Sequence, residues 1–319
     1  MDEPTVQGPV WIPEAPPSLG AFLSPDLQPV PLIPAIALIA AVLYLAGVVR
    51  LWATGRRWPV AHMFLFLLGC AAIMVVTGAG VEGYGLRMFS VFMFQQLTLM
   101  ITVPPLLVLG RPGTLLLRAT PHRFGGQHVL RAALCSLRSR GARFVIHPGF
   151  MVPVFLMTFY VLYFSDIADA LLPYWLGHVG LELFFLASGI LFAVPLLSTG
   201  PLPKRQSYVG RLLDQFAEMP LHAFFGVILM MASTPVVDFY AELPPEWGID
   251  PMRDQWLAGG LAWSYGELPA LFILLLIMVR WQRDEAATDA REDREREIHG
   301  DPDLEAYNSY LNQLGRASH

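Results

Sequence analysis

Apolar residues are gathered into long blocks along this chain, and polar residues into the stretches between them. Seven blocks stand out, at roughly 31–53, 60–79, 87–110, 145–164, 174–198, 219–238 and 258–281. A helix that crosses a bilayer needs about 18 to 20 predominantly apolar residues. The pattern therefore predicts an all-α polytopic membrane protein, a bundle of seven transmembrane helices within 30–283. Small residues recur inside the blocks (Gly47, Gly69, Ala187, Ser188, Gly189, Gly226) and suit close helix packing in lipid. Pro153, Pro195, Pro235 and Pro269 lie inside or near helix ends and predict bends.

The third block organises the rest. The stretch 86–112 is apolar enough to cross a bilayer, yet it carries Gln95 and Gln96 side by side and a Pro104-Pro105 pair. A side-chain amide in hydrocarbon costs free energy unless it has a partner. A diproline removes backbone donors and bends a helix. Other helices must pack around this one, with its glutamines facing them.

The loops between blocks alternate in charge. The first carries Arg50, Arg56 and Arg57. The third, 111–144, carries Arg111, Arg118, Arg123, Arg131, Arg138, Arg140 and Arg143 with no acid. The fifth carries Lys204, Arg205 and Arg211, and the tail opens with Arg280 and Arg283. The other loops are acidic: Glu82; Asp166 and Asp169; Asp238, Glu242, Glu246, Asp250 and Asp254. Positive loops stay cytoplasmic, which predicts the N-terminus outside and the C-terminus in the cytoplasm, the parity that seven crossings require. Residues 1–29, rich in proline and acids, read as an exposed extracytoplasmic arm, with Trp11, Phe22 and Leu23 placed to lie on the membrane face. Residues 284–319 read as a charged cytoplasmic tail, part helix and part disordered. Leu130, Leu134 and Leu137 share a face beside Arg131 and Arg138, so the third loop predicts a basic amphipathic helix on anionic lipid, or a docking surface for a partner.

Composition agrees with this picture. The chain is 55% hydrophobic and only 15% charged, with mean hydropathy +0.49; a soluble domain carries about 25% charge. Of the two cysteines, Cys70 falls in an apolar block and Cys135 in a basic loop, so no disulfide is expected between them. No cleaved signal peptide is expected at the N-terminus. The only lysine, Lys204, lies in a loop, which excludes a retinal Schiff base on the last helix. The sequence holds no phosphate-binding glycine loop, nucleophile elbow or metalloprotease signature. No nucleic-acid partner is expected.

Candidate chemistry sorts by depth. Toward the outer side lie Gln95 and Gln96, Tyr163, His178, Glu182 and Gln255. His178 and Glu182 are four apart and stack on one helix face; Met93, Gln96 and Met100 share a face of the third helix. Imidazole and thioether suit copper, while a polar contact between helices with methionine as core filler accounts for the same residues. Toward the inner side, His62, His147 and His222 each fall in the first turn of a block, so a haem or metal held by two of them is the alternative reading. Glu267 lies near the middle of the last block and is protonated, paired or facing a polar cavity. The competing function class is thus a membrane redox or transport protein using Glu267 and the inner histidines.

An ordered set of motifs resembles the CtaG family of cytochrome c oxidase assembly factors. They are LLVLGRPGTLLLRATP at 106–121, HP at 147–148, WLGHVGLELFFLASGILFAVPLL at 175–197, MPLHAFFG at 219–226, DQWLAGGLAW at 254–263 and YGEL at 265–268. The tail's EAYNSYLNQL is similar to the ending of actinobacterial members. The resemblance implies a multi-pass protein of the bacterial plasma membrane that acts on haem-copper oxidase subunits rather than catalysing a reaction, either handing off copper or chaperoning a subunit without metal. It also implies histidines at five positions near the outer face, which here are Phe92, Gln96, Tyr163, His178 and Glu182. The copper ligands this leaves are His178, Glu182, Gln96 and Met93.

Overall fold

The structure is a computed structural model that describes residues 6–120, 139–197 and 207–299, together with isolated positions between and beyond them. The third-loop amphipathic segment and the EAYNSYLNQL ending lie outside the described residues, apart from single positions. The regular elements of the described residues are all helices, without strands; their one β-type pairing is an isolated bridge between Gln7 and Tyr174. The chain forms two compact units, Met1–Leu274 and Leu275–His319.

In chain order the helices used below are α1 (Leu32–Ala53), α2 (Val60–Val76), α3 (Gly80–Gly85), α4 (Phe89–Leu97), α5 (Val103–Leu109), α6 (Pro112–Ala119), α7 (Pro148–Met157), α8 (Tyr160–Tyr163), α9 (Trp175–Leu197), α10 (Tyr208–Met231), α11 (Pro251–Ser264) and α12 (Glu267–His299). Among the described residues, five stretches are long and apolar enough to cross a membrane: Leu32–Ala53, Phe89–Ala119, Trp175–Leu197, Tyr208–Met231 and Pro251–Arg294. Val60–Val76 and Pro148–Tyr163 are shorter apolar helices. This is a membrane protein built of helices.

Three departures from unbroken helices matter for function. Between α4 and α5 the chain widens into a π-helical turn, Thr98–Thr102. Pro104 and Pro105 follow at once, and a proline ring collides with the carbonyl four residues before it. Shifting to a wider turn relieves that clash. The α9 helix seats on this turn: a Cβ on Gly189 would stand 2.2 Å from the Met100 carbonyl oxygen. The fourth block breaks between α7 and α8, and the seventh breaks at Tyr265–Gly266, so Glu267 starts α12 instead of sitting mid-helix. Finally, α10 begins at Tyr208, well before the block at 219–238, so His222 lies in the middle of a helix and not in its first turn.

Residues 6–31 are irregular apart from one turn, Leu19–Phe22, and are packed across α3. Trp11 and Gln28 exchange two hydrogen bonds that close the segment on itself. The Tyr84 hydroxyl donates to the Ala15 carbonyl (2.9 Å) and the Trp247 indole to the Glu14 carbonyl (3.0 Å). Burial raises the Tyr84 phenol above its ordinary range, with the charge of Asp26 adding to the effect. Elsewhere, Tyr44 stacks on Phe66 at 4.1 Å and donates to the Gly110 carbonyl (2.7 Å), tying α1, α2 and the α5–α6 junction together.

Candidate functional site

Two acids, one imidazole and one amide meet in the interior. His178 and Glu182 project from one face of α9, as a four-residue spacing requires. Glu82 comes from α3, and Gln95 from α4. A ring nitrogen of His178 and one oxygen of each of Glu82 and Glu182 all lie within 4.8 Å of one another, and all three residues are buried. His178 Nε2 stands 3.4 Å from Glu82 Oε1 but off hydrogen-bond geometry, so neither of its ring nitrogens has a hydrogen-bond partner among the described residues. Gln95 Nε2 donates to Glu82 Oε2 (2.7 Å) and to the Val76 carbonyl (2.7 Å), with Glu182 Oε1 at 3.5 Å. Gln95 Oε1 has no partner.

Glycines let α3 reach this depth. A Cβ on Gly85 would stand 1.9 Å from Gln95 Oε1, one on Gly83 2.5 Å from the Trp11 ring, and one on Gly80 1.9 Å from the Ala21 carbonyl oxygen. An isolated acid in a run of glycines, GAGVEGYG at 78–85, was the signal for Glu82. It reads as a loop charge on sequence alone, because the short helix carrying it is too small to register as a block. Gln95 is then fixed by the start of its helix. Asp254 of α11 accepts from Phe89 N (2.6 Å), Ser90 N (3.3 Å) and the Ser90 hydroxyl, capping α4 from outside its own sequence.

The other sequence candidates go elsewhere. Gln96 follows Gln95, about 100° further round the helix, and its amide is spent on a neighbouring junction. Its Nε2 donates to the Thr158 carbonyl (3.0 Å), which the α7–α8 break leaves available, and its Oε1 accepts from the Tyr163 hydroxyl. Thr158 also donates to the Met100 sulfur (3.0 Å). Met93 is fully buried on α4. Phe92 forms an apolar wall, its ring 5.1 Å from the His178 imidazole and 5.8 Å from Phe185. Tyr240 closes another side; its hydroxyl donates to the Gly85 carbonyl (2.8 Å), and burial pushes its phenol well above the usual range. Gln255 closes the end of α10, accepting from Val236 N (2.7 Å) and donating to the Thr234 carbonyl (3.2 Å).

Among the described residues, His62, His147 and His222 do not form a metal-holding group. His147 caps α7, its Nδ1 accepting from Gly149 N at 3.1 Å. His222 lies mid-helix between Glu218 and Glu267.

Chemically, two buried carboxylates in one pocket need a proton or a cation between them. Donors around a tetrahedral ion with bonds of about 2.0–2.1 Å stand about 3.4 Å apart. The observed spread requires only side-chain adjustment to reach that. Imidazole with carboxylate suits divalent copper or zinc better than the softer Cu(I).

The profile of the cytochrome c oxidase caa3 assembly factor family (Caa3_CtaG) matches residues 42–284. An uncharacterized protein of Mycobacterium bovis and one of Mycobacterium tuberculosis are each 38% identical over 266 residues, covering 82% of this chain and 40% of theirs. An uncharacterized protein of Mycobacterium leprae is 36% identical over the same share. The chain thus spans about 40% of the length of the curated relatives it matches. No solved structure matches it. The match runs through α3, α4 and α9, the helices that build the pocket, and with it the chain belongs to the cytochrome c oxidase caa3 assembly factor family.

Proposed function

We propose that this chain is a multi-pass protein of the bacterial plasma membrane that serves assembly of a caa3-type haem-copper oxidase, holding copper in transit to an oxidase subunit and catalysing no reaction of its own. The observation that carries this reading is His178. A fully buried imidazole with neither nitrogen hydrogen-bonded, beside two carboxylates, is costly unless something else occupies the pocket. The ligands would be His178, Glu182 and Glu82, with Gln95 Oε1 available as a fourth. Gln96 drops out of the first rank, because its amide is engaged by Thr158 and Tyr163. Five long spans and two shorter apolar helices support seven crossings. The alternating loop charges support an outside N-terminus and a cytoplasmic tail.

A second reading has one observation behind it. The Gln96–Tyr163 pair and Phe92 fill positions where the family resemblance implies histidines, which suits a chain that holds an oxidase subunit without metal.

Copper content decides between them. Purified detergent-solubilised protein, loaded with copper and desalted, is expected to retain about one ion per chain. His178→Ala and Glu182→Gln should each lose it while eluting as wild type on size exclusion. No retained copper in the wild-type chain overturns the copper reading and leaves the metal-free one.

A further inference from the structure

A second polar feature lies in α10, apart from the Glu82 pocket. Arg211, Gln215, Glu218 and His222 are spaced by four, three and four residues, so they form one straight stripe along the helix. All four are buried inside a helix otherwise apolar enough to span a bilayer. Among the described residues, Arg211 Nε, Gln215 Oε1 and His222 Nε2 have no hydrogen-bond partner, and Glu218 Oε1 has only the imidazole of His222. The contacts that exist run along the stripe from Gln215 to His222, while Arg211 turns to α9 and to the Tyr208 ring, 5.1 Å from its guanidinium carbon. Arg211 Nη1 reaches the Leu196 carbonyl at 3.5 Å, Gln215 Nε2 donates to Glu218 Oε2 at 3.0 Å, and His222 Nδ1 stands 3.1 Å from both the Glu218 carbonyl and Glu218 Oε1.

The stripe ends at Glu267. Its Oε1 lies 3.8 Å from His222 Nε2, beyond direct hydrogen bonding and within reach of one bridging water. Gly266 keeps this gap clear, since a Cβ there would stand 2.8 Å from His222 Nε2. The titratable groups that face His222 are Glu218 from its own helix and Glu267 from α12. The α7 helix carries no titratable residue, and α11 directs its buried acid, Asp254, to α4. Tyr160 of α8 spends its hydroxyl on the Leu221 carbonyl, and the ring beside His222 is that of Phe159, which packs in turn on Phe225.

Each unpartnered buried polar atom forfeits its hydration without recovering a hydrogen bond in a dry interior. Ordered water removes that cost where two or more polar partners are present. From Arg211 to His222 the helix rises about 16 Å, roughly half of a ~30 Å hydrocarbon core. We infer that the stripe is a hydrated half-channel that gives protons from one membrane face access to the His222–Glu267 pair. In the transfer step, a proton on Glu218 passes to His222 Nδ1 while the Nε2 proton passes through a bridging water to the Glu267 carboxylate. The imidazole keeps its charge, Glu218 ends as carboxylate and Glu267 as carboxylic acid. Stopping half-way, such a path admits protons without conducting them across the membrane, so it is an internal proton-exchange site and not a pore.

Cysteine accessibility tests this in membranes. In a background with Cys70 and Cys135 replaced by serine, Gln215→Cys is expected to react with a small water-soluble methanethiosulfonate at least tenfold faster than Phe216→Cys, its lipid-exposed neighbour. Equal rates overturn the half-channel. If Gln215→Cys does not fold, infrared spectroscopy of the wild-type protein serves instead. A carboxyl or imidazolium band removed by Glu267→Gln or His222→Gln should shift within seconds of transfer to D2O, and more slowly in Gly266→Ala. A band unshifted after hours, or no band removed by either substitution, overturns the proposal.

Discussion

At the scale of the residue, what decides the pocket is which polar atoms are already spent. Gln95 and Gln96 are indistinguishable in sequence, yet one faces two carboxylates and the other closes a helix break. Their adjacency was legible; the direction of each was not, because a helix sends consecutive side chains to different neighbours. His178 and Glu182 were legible as a pair from their spacing. Glu82 was legible only as a loop charge, since its place depends on three glycines that let the α3 backbone approach the Ala21 carbonyl, the Trp11 ring and the Gln95 amide. Asp254 sits one step further back and acts through Gln95. Its carboxylate takes three hydrogen bonds at the start of α4, two of them from backbone N–H groups that have no other cap. Asparagine keeps the shape but turns a donor toward donors and removes the charge that strengthens these bonds. Asp254→Asn is expected to lower stability by about 1–3 kcal/mol, read as a fall in thermal midpoint in detergent. An unchanged midpoint, with copper binding also unchanged, would mean the cap is dispensable.

At the scale of the element, apolar blocks predict where helices lie but not where they break. Hydropathy is a property of composition, whereas a break is a property of hydrogen bonding. The α7–α8 and α11–α12 junctions therefore fall inside blocks that read as continuous. The exception is the π-helical turn, whose cause, Pro104-Pro105, is written in the sequence. Small residues in α9 show the same limit. Gly180 and Gly189 look alike in the block, yet a Cβ on Gly180 meets nothing within 4 Å, while one on Gly189 collides with the Met100 carbonyl and Pro104. The two substitutions by alanine should therefore differ in sign. Gly189→Ala forces α9 off the π-helical turn and should destabilise by about 1–3 kcal/mol. Gly180→Ala gains helix propensity at no steric cost and should stabilise by about 0.5–1 kcal/mol. Thermal midpoints of the two variants, measured side by side, check this; equal shifts would mean that α9 does not seat on the turn as closely as the geometry states.

At the scale of the whole molecule, orientation rests on charge outside the helices, and the wild-type chain carries its own reporter. Cys135 is exposed and lies in the loop with seven arginines and no acid, while Cys70 is buried in α2. Retaining Arg-rich loops in the cytoplasm is the strongest charge rule for membrane insertion. If the basic loop is cytoplasmic, a membrane-impermeant maleimide added to intact cells should leave Cys135 unmodified and should modify it in inverted vesicles. Cys70, shielded by Tyr44, Phe66 and Leu51 of the same cluster, should react in neither until the protein is unfolded. A cysteine placed at Glu242, in an acidic loop, should show the opposite pattern to Cys135. The sign matters for function as well as topology. If the chain crosses seven times, α3, which joins α2 and α4, lies on the opposite face from the basic loop, so the same experiment fixes the face toward which the Glu82 pocket lies. Labelling of Cys135 from outside would invert every loop, send that pocket toward the cytoplasm, and make delivery of copper to an outer-face oxidase centre unworkable for this chain.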